Sequence, residues 1–510
     1  VISIRFVHVF KPSLNSTICL PETCSKESME VIRGPSVISS LPQLPLPDSD
    51  HSTGSFNDPL YHSIQNKLYG KELLLNELEV TWEDLHPLLE SGIVSIRSGL
   101  LPLNKTFRCH RCYTDNPKMF GRAPCSSCGS LCTYCRHCIM MGKISTCTPL
   151  LRWNGPSPVN SPHPHLKWEG TLTKGQLKAA QALKDSIEKE QELLIWAVCG
   201  AGKTEILFPG LQFALSKKKR VLVTSPRTDV VLELMPRMQK AFPNIPINGL
   251  YGGGTKKDPP ASLVIATTHQ TMRFTDTFDV VVIDEVDAFP FHADDSLLHA
   301  VYKSKKNKAS IIYLTATPSE DIKQRVANED LSSVVIPRRF HGHPLPVPRF
   351  QWSGSWQKDL NHMRLPKSLQ KWCAHRIENG IPALLFVPTI EILEKVTSIL
   401  KRKNPHIQGV HSKDIKRHQK VSEFREGVVP LLVTTTILER GITIPGVDVA
   451  VLGSEDNIFT ESALVQIAGR AGRSSSKPHG DVVFFHFGKT KAMKKACQHI
   501  VKMNRREEGK

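Results

Sequence analysis

Three groups of residues in this chain have the types and spacing to do chemistry. The first is Val198-Cys199-Gly200-Ala201-Gly202-Lys203-Thr204, whose glycines let backbone N–H groups turn inward around a phosphate. Lys203 can then reach the β- and γ-phosphates of a nucleotide, and the Thr204 hydroxyl can join a Mg²⁺ shell. Ala197 stands where the strict form of this loop has its first glycine, and a bare Gly-x-Gly-Lys-Thr also arises as a chance turn. Cys199 reads as a small packed residue rather than a reactive thiol. The second group follows about 80 residues later, where Val280–Ile283 runs into Asp284-Glu285-Val286-Asp287. Asp284 there suits a Mg²⁺ ion, and Glu285 suits orientation and deprotonation of an attacking water. Carboxylates after a strand also cap helices. Together and in this order, the two motifs point to nucleotide hydrolysis.

The third group is cysteine. Of 13 cysteines, eight lie between Cys109 and Cys147, as Cys109-x-x-Cys112, Cys125-x-x-Cys128, Cys132-x-x-Cys135-x-x-Cys138 and Cys147. Thiolates at two-residue gaps are the strong form of a tetrahedral Zn²⁺ signal, and a site closed by four thiolates is structural rather than catalytic. A ribbon made of Cys109, Cys112, Cys125 and Cys128 is one pairing, and interleaved pairings are others. The remaining five cysteines are scattered, which with the absence of an export signal reads as a reduced protein.

These residues need elements to hold them. Short continuous apolar runs recur at Leu193–Ala197, Val221–Val223, Leu263–Ala266, Val280–Ile283 and Ile311–Leu314, then again at Ala383–Val387, Leu431–Val433, Val449–Leu452 and Val482–Phe485. Unbroken rather than alternating runs mark strands buried on both faces of parallel sheets. The expectation is two successive α/β lobes at 168–340 and 367–510, joined by a linker at 341–366. Ahead of them stand a helical and cysteine-rich domain at 67–150 and a Pro-rich linker at 151–167. Residues 1–66, rich in Ser and Pro, read as a flexible tail.

The chain has 510 residues with 66 Lys plus Arg against 48 Asp plus Glu, a formal charge of +18. That surplus favours a polyanion, nucleic acid or anionic lipid. No apolar run approaches the ~18 residues that span a bilayer, so membrane insertion and secretion are disfavoured. Lys217-Lys218-Lys219-Arg220 reads as a solvated turn. The basic end, 489–510, reads as a helix packing Ala492, Cys497, Ile500, Val501 and Met503 on the second lobe.

In order, the motifs resemble those of superfamily 2 helicases and translocases. Trp168-Glu169-Gly170-Thr171-Leu172-Thr173 leading to Gln176 is similar to the segment that reads adenine, and the loop at Gly200 and the acidic strand end are similar to motifs I and II. Ser225-Pro226-Arg227 and Ala266-Thr267-Thr268-His269-Gln270 resemble the strand-contacting motifs Ia and Ib, and Thr315-Ala316-Thr317 resembles motif III. Leu384–Thr389, Thr434–Gly441 and Gln466-Ile467-Ala468-Gly469-Arg470-Ala471-Gly472-Arg473 resemble motifs IV, V and VI. The resemblance implies two tandem RecA-like lobes with ATP between them. It implies that Gln176, Gly200, Ala201, Gly202, Lys203, Thr204 and Gln466 hold the nucleotide, and that Arg470 and Arg473 act as arginine fingers. It further implies that Ser225, Pro226, Arg227, Thr267, Thr268, Thr435 and Arg440 contact the strand.

Asp284-Glu285-Val286-Asp287-Ala288-Phe289-Pro290, Pro337-Arg338-Arg339-Phe340-His341-Gly342 and Tyr134-Cys135-Arg136-His137-Cys138-Ile139 look like the ComFA family of natural competence. This resemblance implies a translocase for single-stranded transforming DNA, at the inner face of the plasma membrane. It implies a ComFC-like partner of phosphoribosyltransferase fold, the DNA-uptake channel and a possible homo-oligomer. It favours Cys109, Cys112, Cys135 and Cys138 as one zinc site, leaving Cys125, Cys128, Cys132 and Cys147 for a second. The competing readings are another superfamily 2 helicase, PriA-like or RNA-directed, and a zinc-dependent scaffold whose nucleotide site is a switch. DEAD-box enzymes end motif II in Ala-Asp rather than Val286-Asp287, and a degenerate switch would have lost Glu285, Arg470 or Arg473.

Overall fold

The computed structural model describes residues 5–25, 29–44, 58–158, 162–253, 260–288, 291, 294–439, 444–474 and 477–506. Among these, seven strands form one parallel sheet, ordered Ile247–Leu250, Leu263–Thr267, Val221–Ser225, Phe278–Asp284, Lys305–Thr315, Leu193–Ala197, Ser332–Ile336. Six more form a second, ordered Arg349–Trp352, Val482–His486, Asp448–Leu452, Ala383–Phe386, Leu431–Thr434, Gln408–Val410. The continuous apolar runs follow from burial on both faces. Leu193, Val221 and Val280 enter the core on one face of the first sheet, while Leu194, Leu222 and Val281 enter the core on the other. All strands of a sheet point the same way, so the loop after Leu193–Ala197 and the carboxylates after Phe278–Asp284 emerge on one edge, one strand apart. The helix Lys203–Ser216 continues through Pro209.

The N-terminal region departs from the expected tail. Ser16–Pro21, Phe6–Lys11 and Val31–Ser36 form an antiparallel sheet, and Phe6, Val9 and Leu20 share a core with Tyr61, Trp82 and Leu88 from the helices that follow. Phe6 meets Trp82 edge-on with ring centroids 5.8 Å apart. The strands within 6–36 therefore belong not to a tail but to the folded unit expected to start at 67. Its other boundaries move as well. Pro149–Trp153 is the middle strand of a sheet with Glu72–Leu73 and Val94–Ser98, so the Pro-rich stretch starts inside this domain. Arg349–Trp352 pairs with Val482–His486, and helix Trp356–Asn361 buries Trp356 and Leu360 in the second lobe, which thus starts well before 367.

The N-terminal unit is seated on the first lobe. Leu74, Leu100 and Ile144 belong to the same apolar cluster as Leu194, Val281 and Leu297. Glu72, 1% exposed, lies 2.7 Å from Lys303 of the first lobe and 2.8 Å from Arg97. Burial pushes its carboxyl upward, but Lys303 and then Arg97 outweigh that and hold it down at about 2. Arg220 is not part of a solvated turn. It is buried, with its guanidinium 4.8 Å from the ring of Tyr69 and 5.3 Å from that of Phe278. At the far end, helix Lys491–Arg505 buries Met493, Ala496, Ile500 and Met503: Ile500 and Met503 lie inward as expected, while Ala492, Cys497 and Val501 stay half-buried beside them. The spacing of three and four residues explains why this stripe prevails. No helix among the described residues is long and apolar enough to cross a membrane.

Glu72→Gln should cost about 3 kcal/mol in denaturant unfolding at pH 7, because it leaves buried cations without their partner. A carboxyl held at about 2 against an ordinary 4.5 stabilises above the ordinary value and ceases to as pH falls through the folded one. The gap between variant and wild type should therefore close between about pH 4.5 and 2.

Candidate functional site

The phosphate loop is shaped by two left-handed glycines, Gly200 at φ +82° and Gly202 at φ +74°. A Cβ at Gly202 would stand 2.5 Å from Nε2 of Gln176, so this position admits only glycine. Gln176 sits in the first turn of helix Lys174–Lys189, where its Oε1 accepts from the Thr173 N–H at 2.8 Å. Its Nε2 donates to the Ala201 carbonyl at 2.7 Å. Gln176, expected to read adenine, lines the cleft with Trp168, Thr171 and Phe340; one end of its amide caps its own helix and the other braces the phosphate loop.

That cleft, about 430 Å³, is large enough for a mononucleotide. The first lobe contributes Lys203, Thr204, Asp284 and Glu285, and the second lobe Gln466, Arg470 and Arg473. Asp284 ends its strand and its Oδ1 accepts from the Glu285 N–H at 2.9 Å. Glu285 has φ +56°, an unusual backbone for a non-glycine residue and one that clusters at working sites. Asp287 gathers motif III: Thr315 donates at 2.5 Å and Thr317 at 2.6 Å, while Ser462 of the second lobe donates at 2.5 Å.

Two further contacts close the seam. Cys199 Sγ donates to Gln466 Oε1 at 2.9 Å, and a Cβ at Gly469 would lie 2.4 Å from Cys199 Cβ, so glycine is required there for the lobes to meet. Arg470, 4% exposed, donates through Nε to the Glu439 carbonyl at 2.8 Å, and Arg473 donates through Nε to Gly469 at 3.0 Å. Burial, then the neighbouring Arg473, push the Arg470 guanidinium well below its ordinary range. Buried Arg470 with half-buried Arg473 beside it, and Gln466 Nε2 buried and lacking a protein partner, suit an anionic ligand carrying further acceptors. The donor set fits ATP with Mg²⁺. Lys203 and the loop N–H groups would hold phosphates, and Thr204 and Asp284 the ion.

The described strand-contacting candidates lie at or just after the carboxyl ends of strands, Ser225 and Thr267 in the first sheet and Thr435 in the second. Ser225 and Thr267 are register partners on neighbouring strands, and Thr268 opens the helix Thr268–Thr271. Thr267 and Thr268 are buried, and Thr435 caps the short turn Thr436–Leu438. Arg227, next to Pro226, is engaged by the second lobe: it donates to the Ile437 carbonyl at 2.8 Å and pairs with Glu439 at 3.6 Å. Arg417 answers from the other side with Asp229 at 2.6 Å. Arg440 lies outside the described residues. Ser462 and Arg417 carried no sequence signal; each is an ordinary polar residue until the lobes face one another.

The cysteines gather into two sets, Cys109, Cys112, Cys135 and Cys138, and Cys125, Cys128, Cys132 and Cys147, each with all sulfurs within 4.8 Å. The ribbon pairing of Cys109 and Cys112 with Cys125 and Cys128 does not occur. Cys132 and Cys135 stand three apart on strand Leu131–Cys135, so they point to opposite faces and each serves a different set. Sulfur separations of 3.7 and 3.6 Å in the first set, and 3.6 and 3.2 Å in the second, approach the ~3.8 Å of a tetrahedron with Zn–S near 2.3 Å. Both sets fit Zn²⁺. The first is tied to motif Ib: Arg111, between Cys109 and Cys112, donates to Glu77 at 2.6 Å, and Glu77 accepts from Arg273 at 2.8 Å. Arg273 in turn donates to Gln270 at 2.5 Å.

Comparison with known proteins finds the same order of an N-terminal unit and two helicase domains. Residues 57–152 match the family model of the Competence protein ComFA N-terminal domain, 169–320 that of the Type III restriction enzyme, res subunit, and 365–475 that of the Helicase conserved C-terminal domain. The chain is similar to Competence protein ComFA of Bacillus subtilis, 45% identical over 448 residues that cover 88% of this chain and 96% of that protein. It is similar to Competence protein ComFA of Streptococcus pneumoniae, 37% identical over 376 residues covering 73% and 86%. ATP-dependent DNA helicase RecG of Streptococcus pneumoniae is 22% identical over 340 residues, 61% of this chain and 48% of RecG.

Two variants test the site. Gly202→Ala forces both a left-handed backbone and the 2.5 Å contact with Gln176, and should weaken fluorescent ADP binding about a hundredfold or more in titration. Metal analysis should find zinc in both sulfur sets, with Cys128→Ser losing one equivalent and keeping the other.

Proposed function

Because the chain belongs to the ComFA competence-protein family, we propose that it is an ATP-driven translocase that moves along single-stranded DNA and draws transforming DNA into the cytoplasm. The observation that carries this reading is the cleft itself, with Lys203, Thr204, Asp284 and Glu285 facing Gln466, Arg470 and Arg473 across a seam of direct contacts. Lys203 and the phosphate-loop N–H groups bind the polyphosphate, and Thr204 and Asp284 would hold a Mg²⁺ ion, which would supply Lewis-acid polarisation of the phosphates. Glu285 takes the proton of the attacking water. Arg470 and Arg473 meet the charge that grows on the transferred phosphoryl group, so the second lobe is held closed only while that group is attached.

Loss of that attachment frees the lobes to part. Ser225, Pro226, Arg227, Thr267, Thr268 and Thr435 sit on or beside loops of both lobes, which turns a change in separation into movement along a strand, and Arg440 joins this set by the family resemblance. A backbone-directed grip is sequence-tolerant, and the charge of +18 favours it. Zinc in the cysteine sets is structural, keeping the N-terminal unit folded against the first lobe. In the family setting the protein works at the inner face of the plasma membrane, with the uptake channel and a phosphoribosyltransferase-fold partner, as a monomer or homo-oligomer.

The test is steady-state ATP hydrolysis with no polymer, single-stranded DNA, duplex DNA or RNA, beside Lys203→Ala. Stimulation of about tenfold or more by single-stranded DNA, lost in Lys203→Ala, is the expected result. Equal stimulation by RNA would replace DNA as the track, and no hydrolysis above the variant would end the motor reading.

A further inference from the structure

The segment joining the lobes carries an arginine that the motifs leave unexplained. Arg339 is fully buried. Its Nη1 donates to the carbonyl of Gly472, in the turn that bears Arg470 and Arg473, and a Cβ at Gly472 would come within 3.0 Å of that nitrogen. On the opposite side, its Cγ, Cδ and Nε lie 3.5, 3.7 and 3.9 Å from where a Cβ of Gly200 would stand. The next residue, Phe340, donates its N–H to the Gly200 carbonyl at 3.0 Å. One side chain is thus wedged between the phosphate loop of one lobe and the arginine-bearing turn of the other.

The wedge is costly as it stands. Nε and Nη2 of Arg339 are buried and meet no protein acceptor. Burial, then the neighbouring Arg473, push the guanidinium down to about 10. An apolar side chain of the same reach would fill this place without leaving buried donors unmet, and replacing unbalanced buried charge by apolar groups commonly stabilises a fold. A cation kept here against that cost, beside two others that line the cleft, is suited to an anion with several acceptors.

We propose that Arg339 is a positioning residue of the nucleotide site. It holds the Arg470–Arg473 turn against the phosphate loop, and the polyphosphate of a nucleoside triphosphate balances its charge. This rests on the reading of the cleft as an ATP site. It separates two kinds of ligand: a diphosphate needs the phosphate loop alone, whereas a triphosphate needs the turn that Arg339 places.

Two substitutions test it. Arg339→Met keeps the volume without the charge, and Arg339→Lys keeps the charge without the fork. Both should lower kcat about tenfold and raise KM for ATP about tenfold, while affinity for fluorescent ADP stays within about threefold. Affinity for ADP with aluminium fluoride, which mimics the phosphoryl group in transfer, should fall about a hundredfold. The melting temperature of Arg339→Met without nucleotide should equal or exceed that of wild type, a change opposite to what loss of a purely structural arginine produces. A Met variant with wild-type kcat and analogue affinity overturns the proposal, and so does one that loses melting temperature and ADP affinity together. Lys203→Ala, measured alongside, isolates the underlying reading. If wild type hydrolyses no faster than Lys203→Ala, that reading has failed, and the analogue affinity and melting temperature of Arg339→Met still decide the role of Arg339.

Discussion

Two parallel sheets turn their carboxyl ends toward one another, and every reactive group of the molecule depends on how that seam is held. Among the described residues the polar bonds across it are few: Cys199 with Gln466, Asp287 and Thr317 with Ser462, Arg227 with Ile437 and Glu439, Arg417 with Asp229, and Arg339 with Gly472. A hydrogen bond of this kind contributes about 0.5–1.5 kcal/mol net, so these polar bonds together are worth only several, beside an apolar cluster that both lobes share. A ligand that prefers one arrangement by a hundredfold, about 2.7 kcal/mol, weighs as much as two or three of those bonds. The seam is strong enough to define a closed state and weak enough for nucleotide chemistry to undo it.

Sterics make that closed state definite. The contact between Gly469 and Cys199 leaves no room for a methyl group, and Gly202 leaves none beside Gln176. Close packing of this kind is either made or broken, without a useful intermediate. The Gln176 amide belongs to the same economy of fit, since it fixes the turn from which Lys203 and Thr204 project.

Much of this was legible in the residues themselves. Strands buried on both faces write unbroken apolar runs, and phosphate chemistry needs glycine, lysine and adjacent carboxylates in one order, so the lobes and the cleft walls could be placed from sequence. The odd spacing of Cys132 and Cys135 even carries the division of the sulfur sets, once a strand is known to run through it. The N-terminal sheet was not legible, because Phe6–Lys11 and Ser16–Pro21 are short, set among Ser and Pro, and gain their burial from helices some fifty residues away. Arg349–Trp352 was missed for a similar reason: an edge strand with two charged or exposed ends shows no period. Gln176, Arg227 and Ser462 have types that sequence can name, but their partners are backbone atoms or residues of the opposite lobe, and only the fold supplies those.

The buried cluster of Glu72, Lys303 and Arg97, the Glu77 bridge from Arg111 to Arg273, and the shared apolar core divide the molecule mechanically. The cysteine domain and the first lobe form one body, and the second lobe, joined to the first by the polar bonds of the seam and by a buried apolar cluster that both lobes share, is the other. In the vocabulary of machines, the first body is the frame and the second is the arm. A load applied at the cysteine domain reaches the first lobe through Glu72, Glu77 and the apolar core beside them rather than through the nucleotide cleft.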